Sequence, residues 1–125
     1  MIAVDTSSFI AFLEGAKGKD VDNTQFALEQ SQTVLPPVVL SELLSEPHLP
    51  KSLSQIILGL PLLEVHEGFW ERSGKLRAKL IEKGYKARLA DTLIAQSCID
   101  NKVPLITRDL DFKIFERLSD FELFK

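Results

Sequence analysis

The sequence predicts an α/β fold with a central, mainly parallel sheet of four to five strands. Two observations predict it: short apolar runs of strand length recur along the chain, and segments with helical periodicity separate them. Residues 2–5, Ile-Ala-Val-Asp, form the first run and stop at a carboxylate. Thr6-Ser7-Ser8 then supplies N-cap chemistry ahead of Phe9-Ile10-Ala11-Phe12-Leu13, so a helix follows. Gly15 and Gly18 break that helix, and residues 20–32 have helical character around Phe26, Ala27 and Leu28. Thr33-Val34-Leu35 is a second strand, ended by Pro36-Pro37, and proline in a first turn suits a helix through Leu40, Leu43 and Leu44. Pro47 and Pro50 stop it, residues 51–58 form another helix, and residues 60–65 are an apolar run suited to a buried strand. The longest helix spans residues 69–83, with Phe69, Ser73, Leu76 and Leu80 on one stripe and Gly84 at its end. Residues 89–101 form the next helix, with Leu93, Ile94, Cys98 and Ile99 facing inward. Val103-Pro104-Leu105-Ile106-Thr107 is a further strand, residues 109–118 are helical, and residues 121–124 add a last edge strand.

A chain of 125 residues with 45% hydrophobic and 26% charged residues buries an ordinary core and keeps a polar surface, which excludes disorder and fibrous folds. It reads as one domain, residues 1–125. No apolar run approaches the ~20 residues of a membrane span, and the opening MIAVDTSS lacks the features of a signal peptide, so a cytoplasmic protein with no membrane partner is expected. A single cysteine, Cys98, excludes an internal disulfide. With only His48 and His66 beside it a structural zinc site is excluded too, so any metal is held by oxygen.

In parallel sheets of this kind, ligands bind outside the carboxyl ends of the strands, where the strand order reverses. Asp5 closes the first strand, and Asp109 and Asp111 follow the strand ending at Thr107; those two strands are expected to be neighbours. Asp91, in the first turn of its helix, and Glu42, early in another, project toward the same rim. Singly, each reads as readily as a helix cap, a dipole partner or a solvated position. Together they lie among core-type residues, as in Leu40-Ser41-Glu42-Leu43-Leu44 and Ala90-Asp91-Thr92-Leu93-Ile94-Ala95, with little basic charge in the same segments. Carboxylates buried there unpaired would cost several kcal/mol each, so they call for cations. Oxygen ligands without Cys or His suit Mg²⁺ or Mn²⁺, which points to phosphodiester hydrolysis.

Val4-Asp5-Thr6-Ser7, Leu40-Ser41-Glu42-Leu43-Leu44, Ala90-Asp91-Thr92-Leu93-Ile94-Ala95 and Ile106-Thr107-Arg108-Asp109-Leu110-Asp111-Phe112, in this order and spacing, resemble the PIN domain, and more narrowly the VapC type of toxin from type II toxin–antitoxin systems. The resemblance implies a three-layer α/β/α sandwich, a homodimer, a Mg²⁺-dependent endoribonuclease acting on an RNA substrate, and inhibition by a VapB-like antitoxin. It also implies roles by position. Asp5, Glu42, Asp91 and Asp109 form the acidic site; Asp5 and Asp91 are direct metal ligands, Asp109 assists through metal or bound water, and Glu42 positions the attacking water or takes its proton. Asp111 is a supporting carboxylate, Thr6 and Thr107 supply hydroxyls that hold carboxylates or waters, and Phe112 belongs to the core.

The formal net charge of −3 argues against a nucleic-acid partner only as a sum. Between residues 71 and 88 stand seven basic residues, Arg72, Lys75, Arg77, Lys79, Lys83, Lys86 and Arg88, against Glu71 and Glu82, a local net of +5. Lys79 and Lys83, on one face of the long helix, and Lys86 and Arg88, just before Asp91, are candidate RNA contacts. A solvated polar face accounts for the helix lysines equally well. Trp70 and Phe69 read as core or dimer contacts, Cys98 as a small buried hydrophobe. Other functions remain open from sequence: a housekeeping RNA-processing PIN nuclease without antitoxin, a non-catalytic PIN module, a receiver-like domain with aspartates around magnesium, or metal-free cleavage by His48 and His66.

Overall fold

The computed structural model describes residues 1–125. Its elements run β1 (Ile2–Val4), α1 (Thr6–Leu13), α2 (Lys19–Glu29), β2 (Thr33–Val34), α3 (Pro37–Leu44), α4 (Lys51–Leu58), α5 (Phe69–Glu82), α6 (Leu89–Asn101), β3 (Leu105–Ile106), a 3-10 turn (Leu110–Phe112) and α7 (Lys113–Leu118). The strands make one parallel sheet in the order β2-β1-β3, with Ala3 opposite Val34 on one side and Leu105 on the other. The first and last strands are therefore neighbours, as the acidic strand ends require. Asp5 N–H donates to the Ile106 carbonyl at 2.9 Å, so the ladder carries on to the carboxylate itself.

The two further strands expected from sequence are reduced to single parallel bridges, Leu35 with Leu62 and Leu105 with Leu123. At the first edge only Leu35 N–H to Pro61 and Leu63 N–H to Leu35 are made. Pro61 has no N–H to offer, and Leu62 and Val65 face solvent, so the 60–65 run is not the buried strand its composition suggests. The 109–118 segment likewise begins as a 3-10 turn, because the Asp109 side chain accepts from Asp111 N–H and holds a tight turn before α7 starts.

Periodicity locates the long helices well. Phe69, Ser73, Leu76 and Leu80 are all buried on α5, and α6 occupies residues 89–101 as read, with Ile94 and Cys98 inside and Leu93 and Ile99 half-buried. Gly84, at φ 87°, takes the left-handed turn after α5 that lets Tyr85 N–H reach the Leu80 carbonyl at 3.0 Å. Beneath the β3 end, Phe112, Phe115 and Phe121 pack as a triad with ring centroids 5.8–6.2 Å apart, and none is more than 2% exposed. Phe112 is thus core, as expected. Phe69 is buried, but Trp70 is 63% exposed and only stacks edge-on against it, which removes Trp70 from the core.

Candidate active site

Asp5 sits at the N-cap of α1 yet makes no side-chain capping bond. Its carboxylate, in a residue 4% exposed, instead accepts on Oδ2 from Ser7 Oγ and from Thr107 Oγ1, both at 2.8 Å, which leaves Oδ1 without a side-chain donor. The Thr107 hydroxyl oxygen in turn accepts from Asp109 N–H at 3.0 Å, so its proton is committed to Asp5. Burial pushes the Asp5 carboxyl above its ordinary range, the Thr107 and Ser7 hydrogen bonds pull it back, and the charge of Asp109 raises it again. Ser7 was not among the candidate residues. Its signal is the Asp-x-Ser spacing across a strand-to-helix turn, which brings residue i+2 back onto the carboxylate.

Around this centre, one carboxylate oxygen each from Asp91, Asp109 and Asp111 lies within 4.8 Å of the others. Asp91 enters from the first turn of α6, Asp109 and Asp111 from the turn after β3. Burial first, then the charges of Asp109 and Asp5, push the Asp91 carboxyl up to about 6, while Arg88 opposes the shift. Asp5 is felt by this trio but stands outside its closest grouping, and Asp111 stands inside it. The close set thus includes the residue first read as supporting.

Glu42 is placed differently from the sequence reading. It lies in the second half of α3 and is exposed, because Val39 and Leu43 take the buried face. It joins the site through Thr6, whose Oγ1 donates to Glu42 Oε1 at 2.7 Å. Thr6 and Thr107 each donate to a carboxylate, Thr6 to Glu42 and Thr107 to Asp5.

The basic residues divide by what they already hold. Lys79 Nζ donates to the Leu118 carbonyl at 2.8 Å, and Arg72 clamps Asp100 through two hydrogen bonds at 2.7 and 3.0 Å. Lys83, Lys86 and Arg88 are exposed and in no ion pair, and Arg88 is the cation whose charge reaches Asp91. His66 pairs with Asn101 at the far end of α6, about 15 Å along the helix from Asp91. His48 lines a groove beside α3 and α4. Nothing brings the two histidines together.

None of Asp5, Glu42, Asp91, Asp109 and Asp111 forms an ion pair. Uncompensated carboxylates at this separation, all oxygen donors, fit a hard divalent cation such as Mg²⁺ or Mn²⁺. A parallel sheet with carboxylates gathered at the adjoining ends of its first and last strands defines an α/β domain with an acidic site. The PIN domain family model matches residues 2–118, and the chain belongs to the PIN domain family, whose members include nucleases. Among the solved structures that share the fold are two crystal structures. One is VapBC2 from Rickettsia felis bound to a DNA fragment from their promoter, at a TM-score of 0.71 and 23% identity, covering 99% of this chain and 98% of that one. The other is VapBC-5 from Mycobacterium tuberculosis, a member of the VapBC family of toxin-antitoxin systems, at 0.67 and 21%, covering 99% and 97%. No protein of curated function matches the chain by sequence.

Proposed function

We propose that residues 1–125 form a single PIN-like nuclease domain acting as a Mg²⁺- or Mn²⁺-dependent endoribonuclease, the toxin of a type II toxin–antitoxin pair working in the cytoplasm. The observation that carries this reading is the convergence of Asp5, Asp91, Asp109 and Asp111 with no protein cation between them. Asp5, Asp91 and Asp109 would hold the ion, with Asp111 beside them. When bound, a divalent cation supplies Lewis acidity and offsets the negative charge of the scissile phosphate. The chain's own residues do the rest. Ser7 and Thr107 orient Asp5 through Oδ2, and Glu42, steadied by Thr6, takes the proton of the attacking water. Lys83, Lys86 and Arg88 contact flanking phosphates.

The two structures compared above are of VapBC systems, which supports a VapB-like antitoxin as partner. A groove of about 520 Å³ beside α3 and α4, with Ile10, Leu13, Leu43, Leu49 and Leu53 along it and Glu42 on its wall, offers such a partner apolar burial next to the site. Trp70, exposed and outside the core, fits a contact between two copies in a homodimer. The reading is tested by incubating the purified protein with total RNA in Mg²⁺ or in EDTA and mapping fragment ends. Cleavage leaving 5′-phosphate and 3′-hydroxyl ends is expected in Mg²⁺ only. Asp5→Asn should lower it at least about a hundredfold while the far-UV circular dichroism is kept, since a ligand is lost. Cleavage that persists in EDTA, or full activity in the variant, would overturn the reading.

A further inference from the structure

The two segments that build the site around Asp5 come from opposite ends of the chain, and a second polar cluster joins them. Ser8, next to Ser7 on α1, is fully buried and donates from Oγ to Asp20 Oδ2 at 2.8 Å. Arg108, between Thr107 and Asp109, grips the same carboxylate at both oxygens, Nε to Oδ2 at 2.8 Å and Nη2 to Oδ1 at 3.1 Å. The Asp20 side chain is only 14% exposed. Arg108 Nη2 also donates to the Lys17 carbonyl at 3.1 Å, which brings the loop before α2 onto the pair. Gly18 in that loop has φ 148°, and a Cβ there would lie 2.6 Å from Asp20 Oδ1 and 3.1 Å from Arg108 Nη2. The backbone closes over the ion pair only because residue 18 has no side chain.

From this geometry we infer that Asp20 is a positioning residue for the metal centre. Through Ser8 and Arg108 it fixes the spacing between the α1 segment, which carries Asp5 and Ser7, and the β3 end, which carries Thr107, Asp109 and Asp111. A bidentate guanidinium–carboxylate pair is well suited to this, because it sets orientation as well as distance. It also turns the cation adjacent in sequence to Asp109 away from the carboxylates, which keeps their charge available to a divalent ion. Groups that orient metal ligands commonly matter to affinity nearly as much as the ligands.

This inference rests on the divalent-cation reading of the site, and the experiment separates the two. Mn²⁺ affinity is measured by calorimetry on metal-free protein without RNA, for the wild type, Asp20→Asn, the charge-conserving Gly18→Ala and Ser8→Ala, and Arg72→Ala. The last breaks the Arg72–Asp100 pair about 14 Å along α6 from Asp91 and serves as a destabilised control. Asp20→Asn and Gly18→Ala should weaken Mn²⁺ binding about tenfold and Ser8→Ala less, while Arg72→Ala lowers the melting temperature and leaves affinity within about twofold. Wild-type affinity in Gly18→Ala and Ser8→Ala would overturn the positioning role, because Asp20→Asn would then act through charge alone. Equal weakening in Arg72→Ala would overturn it by making the effect one of general stability. Wild-type protein that takes up no Mn²⁺ would overturn the metal centre and the positioning role with it.

Discussion

Asp91 shows how a single residue links stability to function. Its carboxyl is pushed up to about 6 from the ordinary 3.8, by burial and then by its acidic neighbours. Below about pH 4 it is protonated whether the chain is folded or not. Between about 4 and 6 the unfolded chain has released the proton that the folded one keeps, so the metal-free protein loses stability as pH rises, and above about 6 the loss is complete. A shift of this size is worth about 3 kcal/mol for a fully enclosed group and nearer 1–2 kcal/mol for one partly in water. Asp91→Asn should therefore be more stable than wild type by about 1–2 kcal/mol in urea unfolding at pH 7.5 with chelator, and the difference should vanish near pH 4. A variant less stable than wild type at pH 7.5 would contradict this origin of the shift. Acidic residue types among apolar neighbours made Asp5 and Asp91 legible in the sequence. Glu42 was read from the same signal and is exposed, since only helix phase, set by Val39 and Leu43, decides which side of α3 it takes.

Among the elements, helices were legible and short strands were not. A helix of 13 or 14 residues repeats its buried stripe several times, as α5 and α6 do, whereas a run such as residues 60–65 shows one partial period and depends on partners for its ladder. The turn after β3 owes its place to packing. Phe112 is flanked by Asp109 and Asp111 on the polar side and by the Phe115 and Phe121 rings on the other, so the aromatic triad anchors the site's last segment. Phe115→Ala should cost about 3–5 kcal/mol in denaturant unfolding, the range for emptying a buried aromatic site. A loss under about 1 kcal/mol would show that the triad does not carry this segment.

At the scale of the molecule, the charge balance and the fold converge. Without the five acidic candidates the chain keeps 13 acidic residues against 15 basic, so the formal −3 is partly the site itself. A folded chain that gathers those charges should be stabilised by an ion that the unfolded chain cannot bind. Mn²⁺ at about a hundredfold over its Kd should add about 2.7 kcal/mol, read as a rise of several degrees in melting temperature that EDTA reverses and Asp91→Asn largely abolishes. An unchanged melting temperature at saturating Mn²⁺ would count against the centre. Residue type and local period alone were enough for the α/β class, the limits of the long helices and the carboxylates that follow the strands. Packing of distant segments set the rest: the Ser7 hydroxyl meets Asp5 while that of Thr6 meets Glu42, Asp111 joins the closest carboxylates, Lys79 is taken by a backbone carbonyl, and Arg108 answers to Asp20. Each of these depends on which strands lie side by side, and β1 and β3 are about a hundred residues apart in the chain but adjacent in the sheet.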